Sequence, residues 1–330
     1  TPDLTWEKNA QLNIGVDAGL FNRLELSVDY FRRVTRDLLF WRDLPPSSGI
    51  GSVRDNIGDV LNSGVEVQLN TVNILTKNFR WESDLNISAV RNEILDLPTE
   101  EEVNGLFKWE KGKTIYDFYI AEWAGVDPET GSGLFWKDVV ETGPDGEETV
   151  VGRVKVEDNS AATRYYQGSA LPYLYGGFTN RFYFKGFELS VFLYFSLGGL
   201  VYDYTEAARM HAGNIGLNWD SAMLDRWTPD NPDASIPRLT TASNTWNSVS
   251  TRFLHDASYM RLKNLTFSYS FPQKWMERIK LDGLKLYFSA DNLFTVAAHS
   301  ADPEAGGVSG LIDNTLYPMR TFSFGLNFSF

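Results

Sequence analysis

The chain has 330 residues, enough for one large domain or two ordinary ones, and its formal net charge is −13. This acidic balance argues against nucleic acid as a partner. Cysteine is absent, which excludes a disulfide framework, a thiolate metal site and a cysteine nucleophile. The three histidines, His211, His255 and His299, are widely spaced and follow no ligand pattern. We therefore predict neither a metal site nor another cofactor.

No stretch approaches eighteen apolar residues, so no transmembrane helix is predicted. From about Thr5 to Phe40, apolar and polar residues instead alternate on both sides of a short turn at 19–22. The apolar positions are Leu12, Ile14, Val16 and Ala18 before the turn and Leu24, Leu26, Val28 and Tyr30 after it. Strand side chains alternate between two faces, so this segment is predicted to be a β-hairpin with one apolar and one polar face.

A second hairpin follows a long link without periodicity at 41–59. It pairs 65–69 with 81–89 around a short turn near 73–78. Short turns at one end and long loops at the other are typical of outer-membrane β-barrels, whose long loops lie outside the cell.

Further strands are predicted downstream in alternating directions. They are 174–184, 187–199, 256–271 and 283–294, with the short amphipathic helix Gln273 to Lys280 at the short-turn end. The segments 116–122, 135–140 and 149–156 also have strand character. Since a further crossing there would break the alternation of strand directions, we place them in a folded extracellular loop.

The last fourteen residues, 317–330, form the clearest strand. Phe322, Phe324, Leu326, Phe328 and Phe330 share one face, and small or polar residues occupy the other. About ten residues suit one tilted crossing of a hydrocarbon layer. The terminal aromatic residue resembles the recognition signal at the end of bacterial outer-membrane barrels.

Several stretches, spread in order over the whole chain, resemble the SusC-like (RagA-like) TonB-dependent transporters of Bacteroidetes outer membranes. They are TPDLTWE (Thr1 to Glu7), DNIGDVLNSGVEV (Asp55 to Val67), AGVDPETG (Ala124 to Gly131), YGGFTNRFYFKGFELSVFLYFSLGG (Tyr175 to Gly199), SYMRLKNLTFSYSFP (Ser258 to Pro272), SADNLFT (Ser289 to Thr295), ADPE (Ala301 to Glu304) and YPMRTFSFGLNFSF (Tyr317 to Phe330).

The resemblance implies an all-β fold, a transmembrane antiparallel β-barrel of which residues 1–330 form the carboxyl-terminal part. About nine membrane strands are counted, against 22 in a plugged transporter barrel. The signal peptide, TonB box and plug domain of the family are not in the sequence. The chain is therefore expected to be a fragment whose first and last strands pair with missing strands.

The resemblance also implies active import of an oligosaccharide or oligopeptide across the bacterial outer membrane. A SusD-like surface lipoprotein would act as lid and TonB would supply energy, with no enzymatic activity in the chain. Neither GxSxG, a P-loop nor HExxH occurs. The alternative is a soluble β-rich protein, either a carbohydrate-binding module or a glycoside hydrolase domain.

Four extracellular loops are predicted, at about 40–60, 95–171, 200–255 and 296–316. They contain six candidate substrate-contact residues, all aromatic: Trp136, Tyr165, Tyr166, Trp219, Trp227 and Trp246. Aromatic faces stack on sugar rings or peptide side chains, but the same residues are also suited to packing the loops or meeting a partner protein. The acidic pairs in Asp127-Pro128-Glu129 and Asp302-Pro303-Glu304 are predicted to form turns.

Overall fold

A computed structural model describes residues 4–44, 46–49, 51–56, 58–242 and 244–330. The first three residues of the stretch Thr1 to Glu7, and Pro45 of the first long loop, lie outside the described residues. Nine long strands form one sheet, here called the wall. They are β1 (Lys8–Leu20), β2 (Leu24–Arg36), β3 (Asp59–Leu75), β4 (Phe79–Asp96), β5 (Leu174–Phe184), β6 (Phe187–Leu197), β7 (Tyr259–Ser270), β8 (Gly283–Ala297) and β9 (Thr321–Ser329).

The wall is an antiparallel meander in which each strand pairs with the next along the chain, from β1 to β9. Within the described residues, β1 and β9 each have a single wall neighbour, so the sheet is an open segment of a barrel. The prediction of nine crossing strands is confirmed. The last strand begins later than predicted, at Thr321, because its pairing with β8 stops at Asp291, next to the left-handed Asn292 with φ 53°.

The apolar face of the wall is exposed. Val16 is 66% exposed, Phe267 44% and Phe324 81%. These residues point to the same side as their cross-strand partners, as Phe324 does with Phe288. A soluble sandwich would pack this face into its core, whereas an outer-membrane barrel turns it toward lipid.

The opposite face of the wall is polar and charged. Lys285 on β8 is paired with Glu188 on β6 at 2.8 Å, and Arg181 on β5 is paired with Asp84 on β4. Pairs of this kind bridge neighbouring or next-neighbouring strands along the concave side of a barrel segment. The predicted sorting of apolar and polar residues to opposite faces is confirmed.

All short connections lie at one end of the wall. The turn between β1 and β2 places Phe21 and Asn22 at φ values of 55° and 51°, and the turn between β5 and β6 consists of Lys185 and Gly186. A Cβ at Gly186 would lie 2.7 Å from the carbonyl oxygen of Ser270, and φ there is +90°. Glycine is therefore required at this turn by both space and conformation.

The predicted helix Gln273 to Lys280 is shorter than expected. An α-helical turn at Gln273–Met276 continues as a 3-10 turn at Glu277–Ile279. Lys280 then takes the left-handed conformation, with φ 58°, and this ends the helix. In the described part of the chain, no helix has both the length and the apolar character needed to cross a membrane.

The long connections at the other end of the wall form a second structure, here called the loop layer (residues 37–58, 97–173, 198–258 and 298–320). Its strands are Leu39–Asp43, Ser52–Asn56, Glu101–Asn104, Phe107–Glu110, Asp117–Ala121, Trp123–Val126, Gly133–Thr142, Glu148–Val156, Arg164–Ser169, Leu200–Asp203, Leu254–Asp256 and Leu311–Ile312. Its helical turns are Pro46–Ser48, Asn159–Ala161, Tyr204–Arg209, Ser221–Asp225 and Thr251–Phe253. As predicted, the strands near 116–122, 135–140 and 149–156 belong to these loops rather than to the wall.

The loop layer contains the buried apolar core of the molecule. Phe118, Tyr202 and Phe253 are between 0% and 1% exposed and belong to one cluster. A second cluster is built around Phe135 and Trp246. Because apolar burial is the main favourable term in folding, the loop layer behaves as a folded body seated on the end of the wall.

Candidate functional site

Trp136 and Tyr165 come together on the loop layer around one arginine. Arg153, on the neighbouring strand Glu148–Val156, places its guanidinium 4.8 Å from the centre of each ring. Its Nη2 donates to Glu122 at 2.7 Å, and the hydroxyl of Tyr165 donates to Asp138. Burial, followed by this bond to Asp138, raises the pKa of Tyr165. The result is a half-exposed surface of fixed aromatic faces and paired charges.

Tyr166 belongs to a second aromatic group, on the sheet that contains Asp117–Ala121. Its ring lies 5.2 Å from that of Tyr119, and the ammonium of Lys113 lies 4.5 Å from its centre. Its hydroxyl donates to Glu110 at 2.7 Å. Burial, with this bond as the second cause, raises the pKa of Tyr166. The ring is therefore held in one orientation by contacts on several sides.

The other three predicted contact residues serve the loops in different ways. Trp246 is 3% exposed and lies in the second core cluster, so its ring is inaccessible to a ligand in this arrangement. The indole of Trp227 donates to the carbonyl oxygen of Pro128 at 3.0 Å and packs on Gly131. Trp219 is 49% exposed and donates to the carbonyl oxygen of His211 at 2.9 Å. Only Trp219 of these three offers a large free face.

A cavity of about 660 Å³ lies where the polar face of the wall meets the loop layer. Its wall side includes Tyr175, Tyr194 and Tyr259, each near the loop end of its strand. Its loop side includes Tyr116 and the backbone of 306–310. The volume is typical of a small-molecule or oligomer-unit site, and the lining combines aromatic rings with a few polar groups.

A buried ion cluster closes one side of this cavity. Arg261 on β7 is 2% exposed and binds both Asp302 and Glu304, the latter at 2.9 Å. Glu304 also accepts from Lys263 at 2.6 Å and from the hydroxyl of Tyr259 at 3.2 Å. These contacts fasten the loop at 298–320 to the wall.

The two acidic pairs around proline therefore have different roles. Asp127 accepts hydrogen bonds from the backbone N–H of Glu129 at 2.9 Å and from the hydroxyl of Thr130. These bonds form a local turn, as predicted. Hydrogen bonds to the charged form lower the pKa of Asp127. Asp302 forms a similar turn with Glu304, but both carboxylates also face Arg261 across the chain.

The ligand-contacting residues predicted from the sequence all lie in the loops, and the wall tyrosines at the cavity were not among them. A signal was present in the strand pattern. Tyr194 follows Glu188, Ser190 and Phe192 at alternate positions on β6, so its ring had to lie on the polar face near the loop end. Arg153 and Arg261 gave no such signal, because their partners are distant in sequence.

Comparisons with known proteins agree with this architecture. Residues 1–112 match a family model described as "TonB dependent receptor-like, beta-barrel". The TonB-dependent receptor P3 of Formosa agariphila is 33% identical over 362 residues, which cover 99% of this chain and 34% of that protein. The TonB-dependent receptor SusC of Bacteroides thetaiotaomicron is 28% identical, over 99% of this chain and 32% of that protein.

Solved structures give the same result in three dimensions. The RagAB peptide transporter aligns with 100% of this chain at a TM-score of 0.85 and 30% identity, using 36% of that chain. The "open-open" state of the RagAB peptide importer aligns with this chain at a TM-score of 0.83. The chain thus spans about a third of the length of the relatives that it matches.

The sequence matches, the structural matches and the exposed apolar face of the wall agree with one another. The first two cover the whole chain at identities near 30%, and the third is the surface that a barrel presents to lipid. Over its whole length the chain therefore matches the β-barrel part of outer-membrane TonB-dependent receptors, and it is similar to SusC and to the RagAB peptide transporter.

Proposed function

We propose that this chain is part of a TonB-dependent importer of an oligomeric nutrient, a glycan or a peptide. The observation that carries the proposal is the match of the whole chain to the RagAB peptide transporter at a TM-score of 0.85. The relatives are receptors or a transporter by name, and we propose that the chain likewise has no catalytic role of its own. Substrate would be recognised by the loop layer and the cavity beneath it.

The proposal includes a sidedness for the wall. The loop layer faces the outside of the cell and the short turns face the periplasm. This sidedness is supported by the position of the four long connections, which all lie at one end of the wall, as is typical of outer-membrane barrels. The loops predicted at about 40–60, 95–171, 200–255 and 296–316 would then form one external surface.

A protease site inserted at each end tests this sidedness. The exposed hairpin tip between Pro144 and Asp145 is one position, and the turn between Gly19 and Leu20 is its matched control at the other end. Treatment of intact cells should cleave the first insertion and leave the second. Cleavage at the second position alone would invert the orientation.

We propose two protein partners. A SusD-like surface lipoprotein would cover the loop layer, whose exposed aromatic and charged surface is suited to an interface. TonB would supply the energy for import. Affinity purification of the tagged whole protein from mild detergent should recover the lipoprotein, and uptake should stop when the proton gradient is collapsed.

The proposed substrate-contact residues are Trp219, which is 49% exposed, and the partly buried Trp136, Tyr165 and Tyr166 on the loop surface. Trp227 and Trp246 contribute by packing the loops that hold them. Uptake of labelled oligosaccharides and labelled oligopeptides by cells carrying Trp136→Ala should fall relative to the native protein. Val150→Ala, on the neighbouring strand and 57% exposed, is the control and should transport normally.

Uptake of neither class of oligomer by the native whole protein would refute the proposal. Uptake of one class identifies the substrate class. Unchanged uptake in Trp136→Ala, with transport otherwise intact, would place recognition elsewhere, and Tyr194→Ala would then test the cavity. Binding without uptake would contradict import, since import requires translocation into the periplasm.

A further inference from the structure

Two histidines and a glutamate that are distant in sequence meet in the loop layer. Glu206 lies on the short helix Tyr204–Arg209, His255 on the strand Leu254–Asp256, and His299 in the segment that follows β8. One ligand-capable atom from each side chain lies within 4.8 Å of the other two. The spacing in sequence gave no hint of this group, because it is assembled from separate loops.

The fold brings these residues together through a small mixed sheet. The strand Leu200–Asp203 pairs antiparallel with Leu254–Asp256, so that Val201 lies opposite His255. On its other side it pairs in parallel with Leu311–Ile312. The backbone ladder thus joins two long loops and fixes the positions from which the three side chains extend.

A fourth residue orients one of the histidines. The side chain of Asp203 is 3% exposed, and its Oδ2 lies 3.1 Å from Nε2 of His299. Its Oδ1 accepts from the backbone N–H of Glu206 at 2.8 Å, as the cap of the helix. When Nε2 of a neutral imidazole donates to a carboxylate, Nδ1 keeps its lone pair. A buried carboxylate behind an imidazole is the usual support of a metal-ligating histidine.

We propose that Glu206, His255 and His299 form a binding site for a divalent transition-metal ion of the Zn²⁺ type, with Asp203 as the positioning residue of His299. Two imidazoles and a carboxylate are a donor set that suits Zn²⁺ in proteins. The ion would fasten the loop at 198–258 to the loop at 298–320. This proposal does not depend on which nutrient the protein imports.

Binding requires a small rearrangement that the structure permits. The rings of His255 and His299 are stacked, with centres 3.9 Å apart and planes at 7°, so a single ion cannot lie in both ring planes. At least one ring must turn. The side chain of His255 is 27% exposed and that of His299 is 12%, so His255 is the ring with room to rotate. Its hydrogen bond to Glu206, at 2.6 Å, would be replaced by coordination.

The competing interpretation is a purely structural network of two histidine–carboxylate hydrogen bonds. Zinc titration of the whole protein, purified from outer membranes in detergent and stripped with a chelator, distinguishes the two. Calorimetry with ZnCl₂ alone should show a saturable site that is lost in His255→Gln and in His299→Gln. Asp203→Asn should weaken binding about 10–100-fold, the effect expected of an orienting carboxylate.

Asp313→Asn is the matched control, since Asp313 is an exposed carboxylate just after the strand Leu311–Ile312 and outside the cluster. It should leave the affinity unchanged. Cobalt substitution adds a spectroscopic readout, because a low-coordinate Co²⁺ site with nitrogen ligands absorbs in the visible. Equal zinc affinity in the native protein and in the double variant His255→Gln/His299→Gln would overturn the proposal.

A measurement on the native protein covers the case in which a variant fails to assemble. Histidine modification by diethylpyrocarbonate, read by peptide mass spectrometry, should decrease at His255 and His299 when ZnCl₂ is present. His211 lies in the same loop as His255, at 198–258, but it is only 2% exposed and provides an internal reference of low reactivity. Zinc-independent modification of His255 and His299 would also overturn the proposal.

Discussion

The wall exposes its large apolar side chains, whereas the loop layer buries them. On the wall, large apolar side chains such as Phe324 and Val16 are exposed, at 81% and 66%. In the loop layer, Phe118 and Phe135 are both 0% exposed. The same residue types are thus outside in one region and inside in the other, within one chain.

The difference follows from the solvent of each region. In hydrocarbon, backbone groups must be paired internally, so the wall depends on a continuous ladder of strand hydrogen bonds and leaves apolar side chains to lipid. In water, apolar burial drives folding, so the loop layer is organised around a core. The same substitution should therefore have different effects in the two regions.

The largest effect is expected from a cavity in the loop core. Phe118→Ala removes a fully buried ring that lies 4.9 Å from the ring of Phe107, and such changes destabilise by about 3–5 kcal/mol. Limited proteolysis of the whole protein should show new cleavage within 97–173, while heat-modifiable gel mobility of the barrel is retained. Val150→Ala on an exposed strand should change neither. Loss of barrel assembly in Phe118→Ala would contradict the independence of the two regions.

A charge on the lipid face should have the next largest effect. Val67 on β3 lies between Val28 and Ile87 on the apolar face, and Val67→Arg should cost about 2–4 kcal/mol near the middle of the membrane. The loss of assembly is measured as the fraction of the protein in outer membranes that migrates as a heat-modifiable barrel. Gln68→Arg, one residue along and exposed on the polar face, should assemble nearly normally. Equal assembly of the two variants would contradict the assignment of faces.

A smaller effect is expected where the two regions are joined. Arg261→Lys keeps a charge but cannot bind Asp302 and Glu304 together, and the loss of a charged hydrogen bond costs about 1.5–3 kcal/mol. Proteolysis within 298–320 should become faster, with the barrel intact. Arg181→Lys is the control, because Arg181 binds a partner inside the wall. If both variants leave this loop equally resistant, the ion cluster does not fasten it.

The smallest effect is expected at the loop surface. Tyr165→Phe removes the hydroxyl that donates to Asp138. A hydrogen bond to a charged group is worth about 1.5–3 kcal/mol, and the loss falls at the low end of this range because Asp138 keeps its ion pair with Arg153. Hydrogen exchange should become faster for the strand Arg164–Ser169 and unchanged in the wall. Tyr173→Phe, at a residue that is 81% exposed, should leave exchange as it is. Faster exchange throughout the wall would show that the regions are coupled more tightly than their separate cores imply.

Predictions from sequence succeeded where a local pattern was sufficient. The strand Leu174–Phe184 was predicted with the observed bounds, and the apolar face of 322–328 was read directly from its alternation. The predicted helix Gln273 to Lys280 was too long, because its end depends on the left-handed Lys280 rather than on periodicity. The periodicity of a sequence shows which face of a strand or helix a residue occupies, but it locates the ends of these elements less accurately.

Predictions of contact residues depended on more than local pattern. Trp136 and Trp246 both lie in the predicted loops, yet Trp136 is partly exposed and Trp246 is only 3% exposed. No neighbouring residue distinguishes them, because the exposure of each is set by strands and turns that arrive from other loops. The wall tyrosines at the cavity lie on the strands, outside the loops that contain the predicted contact residues.

The sequence by itself determined the wall of this protein: nine alternating strands, their faces and the sorting of short and long connections. Each strand needs only its own period-two pattern to separate a lipid face from a polar face. Tertiary structure alone decided what the loops bring together, including Arg153 between two rings, Arg261 between two carboxylates, and His255 against His299. The physical reason is that these contacts join residues far apart in the chain, and their energies depend on distances that only the packed loop layer sets.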